Sequence, residues 1–181
     1  QQVVISGKTS SVTNVTSGIS QGTVLGPIFF LIYISDIGNN ISAKKQIYVD
    51  DTKVKKGIRN EDDVESLQDD LNKLYEWAKT NNMVYNATKF QVIRYGNNKE
   101  LKEDTNYFTE DTGELIERFE TLRDLGVILS DEATFSAHIQ HVEQKVRRKI
   151  GWVLRNFYCR NVYFMKTIYK TLIVPHIDYC S

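Results

Sequence analysis

The apolar positions of this chain follow two rhythms: short β-prone runs, interspersed with helical stretches, up to about Ser130, and long 3.6-residue stripes alone beyond it. Gln1 to Val15 is rich in Val, Ile, Thr and Ser around Ser6-Gly7-Lys8, which predicts a β-hairpin. A glycine-punctuated loop from Ser17 to Gly22 then feeds an apolar run, predicting a helix from about Thr23 to Ile37. Pro27 sits early in it, where a missing N–H costs little, and Gly38-Asn39-Asn40 stops it. The apolar body of this helix is expected in the core. Ile47–Val49 and Lys53–Ile58 predict a second hairpin with Asp50 and Asp51 at its tip.

Further along, Asn60 to Thr80 reads as a helix. Asn60 is a good N-cap, and Glu61, Asp62 and Asp63 complement the positive end of the dipole. Val64, Leu67, Leu71, Leu74 and Ala78 give it one buried face, with the acids, including Asp69-Asp70, on a wet one. Met83 to Tyr95 reads as a strand, Asn97 to Asp104 as a polar loop, and Asp111-Thr112-Gly113-Glu114 as a turn between strand-like runs. Leu122 to Leu129 is another strand. Thr134 to Tyr158 is a long helix with a stripe of Phe135, Ile139, Val142, Val146, Ile150, Val153, Leu154 and Phe157, and Asn161 to Val174 is a second, ended by Pro175. The fold class is therefore α+β, mainly antiparallel, with a boundary near Ser130 where strands give way to helices.

Charge marks the same boundary. The 181 residues carry 23 basic and 23 acidic side chains, so the net charge is zero. Residues 1–130 hold 15 Lys and Arg against 19 Asp and Glu, whereas residues 131–181 hold 8 against 4. An acidic part that binds metals beside a basic part that holds phosphates suits a nucleic-acid enzyme. Cys159 and Cys180 suggest a reducing compartment and are expected as packing residues. No signal peptide is visible, and the longest apolar run, Ile28 to Ile34, falls far short of the ~20 residues of a membrane span.

Chemistry concentrates in two places. A short apolar strand that ends in paired carboxylates, beside a glycine loop that lets backbone approach a ligand, is what metal-dependent phosphoryl transfer needs. Two divalent ions ~3.5–4 Å apart clamp the attacking and leaving oxygens, and Mg²⁺ takes carboxylate and phosphate oxygens. Strand side chains alternate, so Asp50 and Asp51 are expected as unequal ligands. Adjacent aspartates are also ordinary turn residues, and Asp62-Asp63 and Asp69-Asp70 are expected to be solvated. Lys53, Lys55 and Lys56 are best read as a solvated strand edge, with phosphate contact as the alternative. The cluster Lys145, Arg147, Arg148 and Lys149 is a candidate phosphate contact; solvated charge fits it equally well. His138 and His141 are expected at the surface or in packing.

Ser17-Gly18-Ile19-Ser20-Gln21-Gly22-Thr23-Val24-Leu25-Gly26-Pro27, continuing through Ile37, resembles the B motif of reverse transcriptases from non-LTR retrotransposons of the jockey-like and CR1-like kind. Tyr48-Val49-Asp50-Asp51-Thr52-Lys53 resembles their C motif. Trp77 to Lys89, Asp124-Leu125-Gly126-Val127 and Pro175-His176-Ile177-Asp178-Tyr179-Cys180 match in the same order, so the resemblance covers nearly the whole chain. Ser20 stands where the family usually has proline and Val49 where it usually has alanine. The family's A motif, which supplies a third metal-binding aspartate, lies upstream of the B motif, and only Gln1 to Thr16, without an acid, precede that motif here. The expectation is a fragment beginning inside the palm, without fingers, that does not polymerise alone.

The resemblance implies a role for each candidate. Asp50 and Asp51 would hold Mg²⁺ (or Mn²⁺). Gly18, Gln21 and Gly22 would lie near the nascent base pair, and Leu125-Gly126 near the primer end. Lys89 would face the departing pyrophosphate, although a lone lysine is ordinarily a solvated surface residue. Lys145, Arg148 and Lys149 would meet nucleic-acid phosphates. Residues 1–130 would be palm and 131–181 the start of the thumb. The partners would be an RNA template, a DNA primer, deoxynucleoside triphosphates and the upstream palm and fingers segment of the same polyprotein, with no membrane, in the nucleus or cytoplasm. The site requires the hairpin tip to lie close to the Gln21 loop. A catalytically dead nucleic-acid-binding relic of a mobile element is the competing reading, and a functionless remnant a third.

Overall fold

The computed structural model describes residues 1–15, 18, 22–96, 105–110 and 112–180. Three antiparallel hairpins are found among these residues: β1 (Val4–Ile5) with β2 (Lys8–Thr9), β3 (Lys44–Tyr48) with β4 (Asp51–Lys55), and β5 (Thr121–Asp124) with β6 (Val127–Ser130). Each is its own two-stranded sheet, so the expected antiparallel character holds, while the described strands do not join into one wide sheet. The helices are α1 (Gly26–Tyr33), α2 (Glu61–Thr80), α3 (Ser136–Asn156), α4 (Val162–Ile168) and α5 (Val174–Ile177). The expected loop at 97–104 falls outside the described residues.

Helix α2 forms as its sequence predicts. The Asn60 side chain accepts from the Asp63 amide at 3.0 Å, and three acids occupy the first turn. Its apolar face packs on the main core, where Ile34, Ile37 and Leu74 are buried and Phe30, Ile41, Ile47, Val54, Trp77 and Met83 pack around them. The core thus joins α2 to the β3–β4 hairpin and to the turns after α1. The body of α1 does not sit in that core as expected. Ile28, Phe29, Leu31 and Ile32 are exposed, and burial begins at Ile34, just past the helix end. A helix apolar on every side needs cover on every side. Here α2 covers one side, through Phe30 and through Tyr33, which lies edge-on to Trp77 at 6.2 Å.

The expected strand at Met83 to Tyr95 is instead a 3₁₀ turn, Ala87–Lys89, followed by a single bridge from Val92 to Arg118. Side-chain packing overrides the β pattern: Tyr75 of α2 gathers Tyr85 and Phe90 at 5.5 and 5.6 Å between ring centres. The second C-terminal helix differs too. Pro175 does not end it; a π-helical turn, Tyr169–Ile173, intervenes and Pro175 falls in the first turn of α5. The wider turn accommodates a ring that clashes with the carbonyl four residues back in a regular helix. The predicted stripe of α3 is only partly buried: Val153 is in the core, while Phe135, Ile139, Ile150 and Leu154 are exposed. Cys159 and Cys180 are exposed rather than packed.

One acid also contradicts its expected place. Asp70 is not solvated but 1% exposed, inside α2. Its carboxylate accepts from the Ser42 amide at 3.0 Å, the Ser42 hydroxyl at 2.8 Å and the Ala43 amide at 2.9 Å. Lys56 lies 3.8 Å away and donates to the hydroxyls of both Ser42 and Ser66. Lys56 is therefore part of an internal network, not a solvated edge. Burial by itself would raise the Asp70 pKa; the hydrogen bonds from Ser42 and Ala43 and the Lys56 ammonium outweigh it and hold the carboxyl below its ordinary value.

A carboxyl held below its ordinary pKa contributes stability that is present above that value and lost as it protonates. Asp70→Ala is expected to cost about 3 kcal/mol, because buried donors and the Lys56 charge lose their partner. Asp70→Asn should flatten the loss of stability as pH falls below the ordinary aspartate value of 3.8. Urea unfolding across that range checks both.

Candidate functional site

The hairpin that carries the paired acids turns through two residues, Val49 and Asp50, because Tyr48 pairs directly with Asp51. Asp51 is therefore the first residue of β4, and Asp50 belongs to the loop. The two carboxylates therefore differ in backbone setting, one in the loop and one in the strand. Val49 has φ +56°, in the left-handed region that β-branched residues avoid. A two-residue loop with positive φ at its first position ordinarily takes glycine there. The strain sits beside the acids, and strained backbone persists where the surroundings over-determine it.

Both acids are exposed, and among the described residues no side-chain hydrogen bond or ion pair engages either. Their oxygens are free and of the hard type that Mg²⁺ or Mn²⁺ takes. Among the described residues no cluster of three or more His, Cys, Asp or Glu side chains could hold a metal. The pair thus fits as part of a ligand set. Gln21 lies outside the described residues, and with it the question of how near its loop comes to the hairpin tip. Gly18 and Gly22 both have positive φ, and a Cβ built on either meets nothing within 4 Å, so conformation rather than crowding explains glycine there.

The structure does join the acid hairpin to the Leu125-Gly126 turn. Lys53 Nζ lies 2.5 Å from Asp124 Oδ1, with the two side chains 27% and 25% exposed. Lys53 is thus an anchor between β4 and β5, which its place in a basic run conceals in the sequence. Leu125 and Gly126 form the two-residue loop between β5 and β6, since Asp124 pairs with Val127. Lys89 is exposed at the end of its 3₁₀ turn. Asn86, three residues earlier, caps that turn by accepting from the Thr88 amide at 3.2 Å.

In α3, Arg147 pairs with Glu143 at 2.7 Å, whereas Lys145, Arg148 and Lys149 have no acidic partner among the described residues. His176 of α5 joins this cluster. Burial, then the Lys145 and Lys149 charges beside it, lower its pKa from the ordinary 6.5. Sequence reasoning missed His176, because only the packing of α5 on α3 brings it there. His138 is buried, as a packing residue, with Nδ1 accepting from the Ile128 amide at 3.3 Å.

Relieving the strained loop gives a direct check. Val49→Gly is expected to stabilise the fold by about 1 kcal/mol, strain relief exceeding the greater freedom of glycine in the unfolded chain. Guanidinium unfolding of the two proteins measures it, and a destabilised variant would contradict the strained geometry.

Comparison with known proteins adds the following. A family model described as "Reverse transcriptase (RNA-dependent DNA polymerase)" matches residues 2–134. The chain is 26% identical over 191 residues to the RNA-directed DNA polymerase from mobile element jockey of Drosophila melanogaster, covering 98% of this chain and 20% of that protein. The Drosophila funebris protein of the same name is 29% identical over 192 residues, with 98% and 20% covered. The probable RNA-directed DNA polymerase from transposon X-element of Drosophila melanogaster is 27% identical over 177 residues, with 92% and 19% covered. The chain spans about a fifth of the length of these curated relatives. No solved structure matches it.

Proposed function

Because this chain belongs to the reverse transcriptase family, we propose that it is the portion of a non-LTR retrotransposon's RNA-directed DNA polymerase that carries two metal-binding carboxylates and the primer-holding turn. Residues 1–130 are then palm and 131–181 the start of the thumb. The reaction is nucleotidyl transfer: the primer 3′-oxygen forms a bond to the α-phosphorus of a deoxynucleotide, and the bond to pyrophosphate breaks. The observation that carries this reading is the Lys53–Asp124 ion pair, which ties the Asp50-Asp51 hairpin to the Leu125-Gly126 turn. Acids and primer end must share one rigid body for in-line attack.

Asp50 and Asp51 would hold Mg²⁺, which when bound stabilises the charge that develops on the phosphoryl oxygens. Gly18, Gln21 and Gly22 contact the template and the incoming nucleotide, and Leu125 and Gly126 present backbone to the primer end. Lys89 supplies positive charge toward the leaving pyrophosphate. Lys145, Arg148 and Lys149 meet phosphates of the template–primer duplex. Among the described residues no helix is long and apolar enough to cross a membrane.

Fluorescence anisotropy with an RNA–DNA duplex tests the phosphate contacts. The chain should bind with a steep salt dependence, and the double variant Lys145→Gln, Lys149→Gln should reduce the log–log slope by about 2, near one per lost contact. An unchanged slope would remove these lysines from the interface. Manganese titration followed by NMR tests the carboxylates. Signals of Val49 to Thr52 should broaden selectively, and Asp50→Asn with Asp51→Asn should abolish the effect. Two carboxylates do not fix two cations, so the 181-residue chain is expected not to extend a primer by itself; robust extension would refute that.

A further inference from the structure

The Leu125-Gly126 turn is gripped from two directions by residues to which the proposed function gives no contact with nucleic acid. On one side is Lys53, paired with Asp124 at 2.5 Å immediately before the turn. On the other is Tyr179, 54 residues away in sequence, whose hydroxyl donates to the Leu125 carbonyl at 2.6 Å. The tyrosine ring also lies against Gly126. A Cβ built on Gly126 would sit 3.2 Å from ring atom Cε1 and 3.5 Å from the hydroxyl oxygen. Any side chain at 126 would therefore push the ring, and with it the hydroxyl, away from the turn.

The turn needs such support. Both of its residues have positive φ, Leu125 at +44° and Gly126 at +88°. Glycine accepts this, but leucine does so only against its own Cβ. A loop of this kind favours Asn-Gly, whose first residue tolerates the left-handed region. A ribbon of two four-residue strands does not enforce a disfavoured backbone by itself. Held conformations of this sort persist when several outside contacts over-determine them. Here these are the ion pair at Asp124, the hydrogen bond at the Leu125 carbonyl and the ring against Gly126.

We propose that Tyr179 is a positioning residue: together with the Lys53–Asp124 pair it fixes the Leu125 and Gly126 backbone as a rigid ledge for the 3′-terminal nucleotide of a primer strand. This rests on the proposed function for the identity of the ligand, though not for the clamp itself. Tyr179 acts through Leu125 and Gly126 and has no contact with the reacting atoms. It also gives the stretch Pro175 to Cys180 a task, bringing α5 and the residues after it back to a turn between two distant strands.

Tyr179→Phe removes the hydroxyl and keeps the ring. Two readouts on the full chain separate the clamp from the ligand. Amide hydrogen exchange of residues 125–127 should quicken roughly fivefold, the loss of about one hydrogen bond. Photo-crosslinking from a primer bearing 4-thiothymidine at its 3′ end, annealed to RNA, should give a roughly fivefold lower yield on residues 121–130 for the same reason. Overall duplex affinity should stay that of the parent chain. Lys53→Met should quicken exchange in the same segment. Equal exchange in the parent and Tyr179→Phe chains would overturn the clamp. Faster exchange with unchanged crosslinking would overturn the positioning role. No crosslink to this segment in the parent chain would overturn the primer assignment, distinguishable because the exchange difference survives it.

Discussion

The position of the acid-bearing hairpin depends on one buried carboxylate. A two-stranded ribbon does not hold its own place in water, and β3–β4 has no neighbouring strand to lean on among the described residues. Asp70 grips it at the base. The amides of Ser42 and Ala43, just before β3, donate to Asp70, and Lys56, just after β4, approaches the same carboxylate. Both ends of the ribbon are thus fastened to one turn of α2. Ile47 and Val54 then press its inner face onto the core around Ile37 and Leu74.

From that base, order passes outward through side chains rather than through a continuous ladder. Lys53 carries it from β4 to β5 by pairing with Asp124. Tyr179 carries it from the C-terminal helices to the same turn through the Leu125 carbonyl. These links cross long stretches of sequence and are few, so each has more consequence than an ordinary surface contact. Exposed ion pairs contribute little to stability on average. The Lys53–Asp124 pair is three-quarters covered, and its importance lies in fixing two loops relative to each other more than in the energy it adds.

Charge is distributed to match. Asp50 and Asp51 face solvent at the tip of one ribbon, without partners among the described residues, while Lys145, Arg148 and Lys149 of α3, near His176, have no acidic partner among the described residues. Two pairs that link separate elements, Asp70 with Lys56 and Asp124 with Lys53, hold the framework together. A free carboxylate remains available to a cation, and a free ammonium to a phosphate.

Much of this was legible in the chain itself. Asn60 and the three acids after it announce α2, because a capping side chain and a favourable dipole are local properties. The hairpin tip at Asp50 and the long helix after Ser130 follow from local alternation and periodicity for the same reason. The motif order from Ser17 to Cys180 identifies the family without any coordinates. Other features needed the tertiary structure. Asp69 and Asp70 look alike in sequence, yet one is exposed and the other is the anchor of the ribbon, a difference set by which donors the fold brings within reach. Lys53 and Lys56 read as a solvated edge until Asp124 and Asp70 arrive from elsewhere. The exposure of α1 is likewise invisible to hydrophobicity, which records what a face prefers and not what covers it. Tyr179 and Gly126 meet only because α5 folds back on α3, and no local pattern encodes a contact between residues so far apart in the chain.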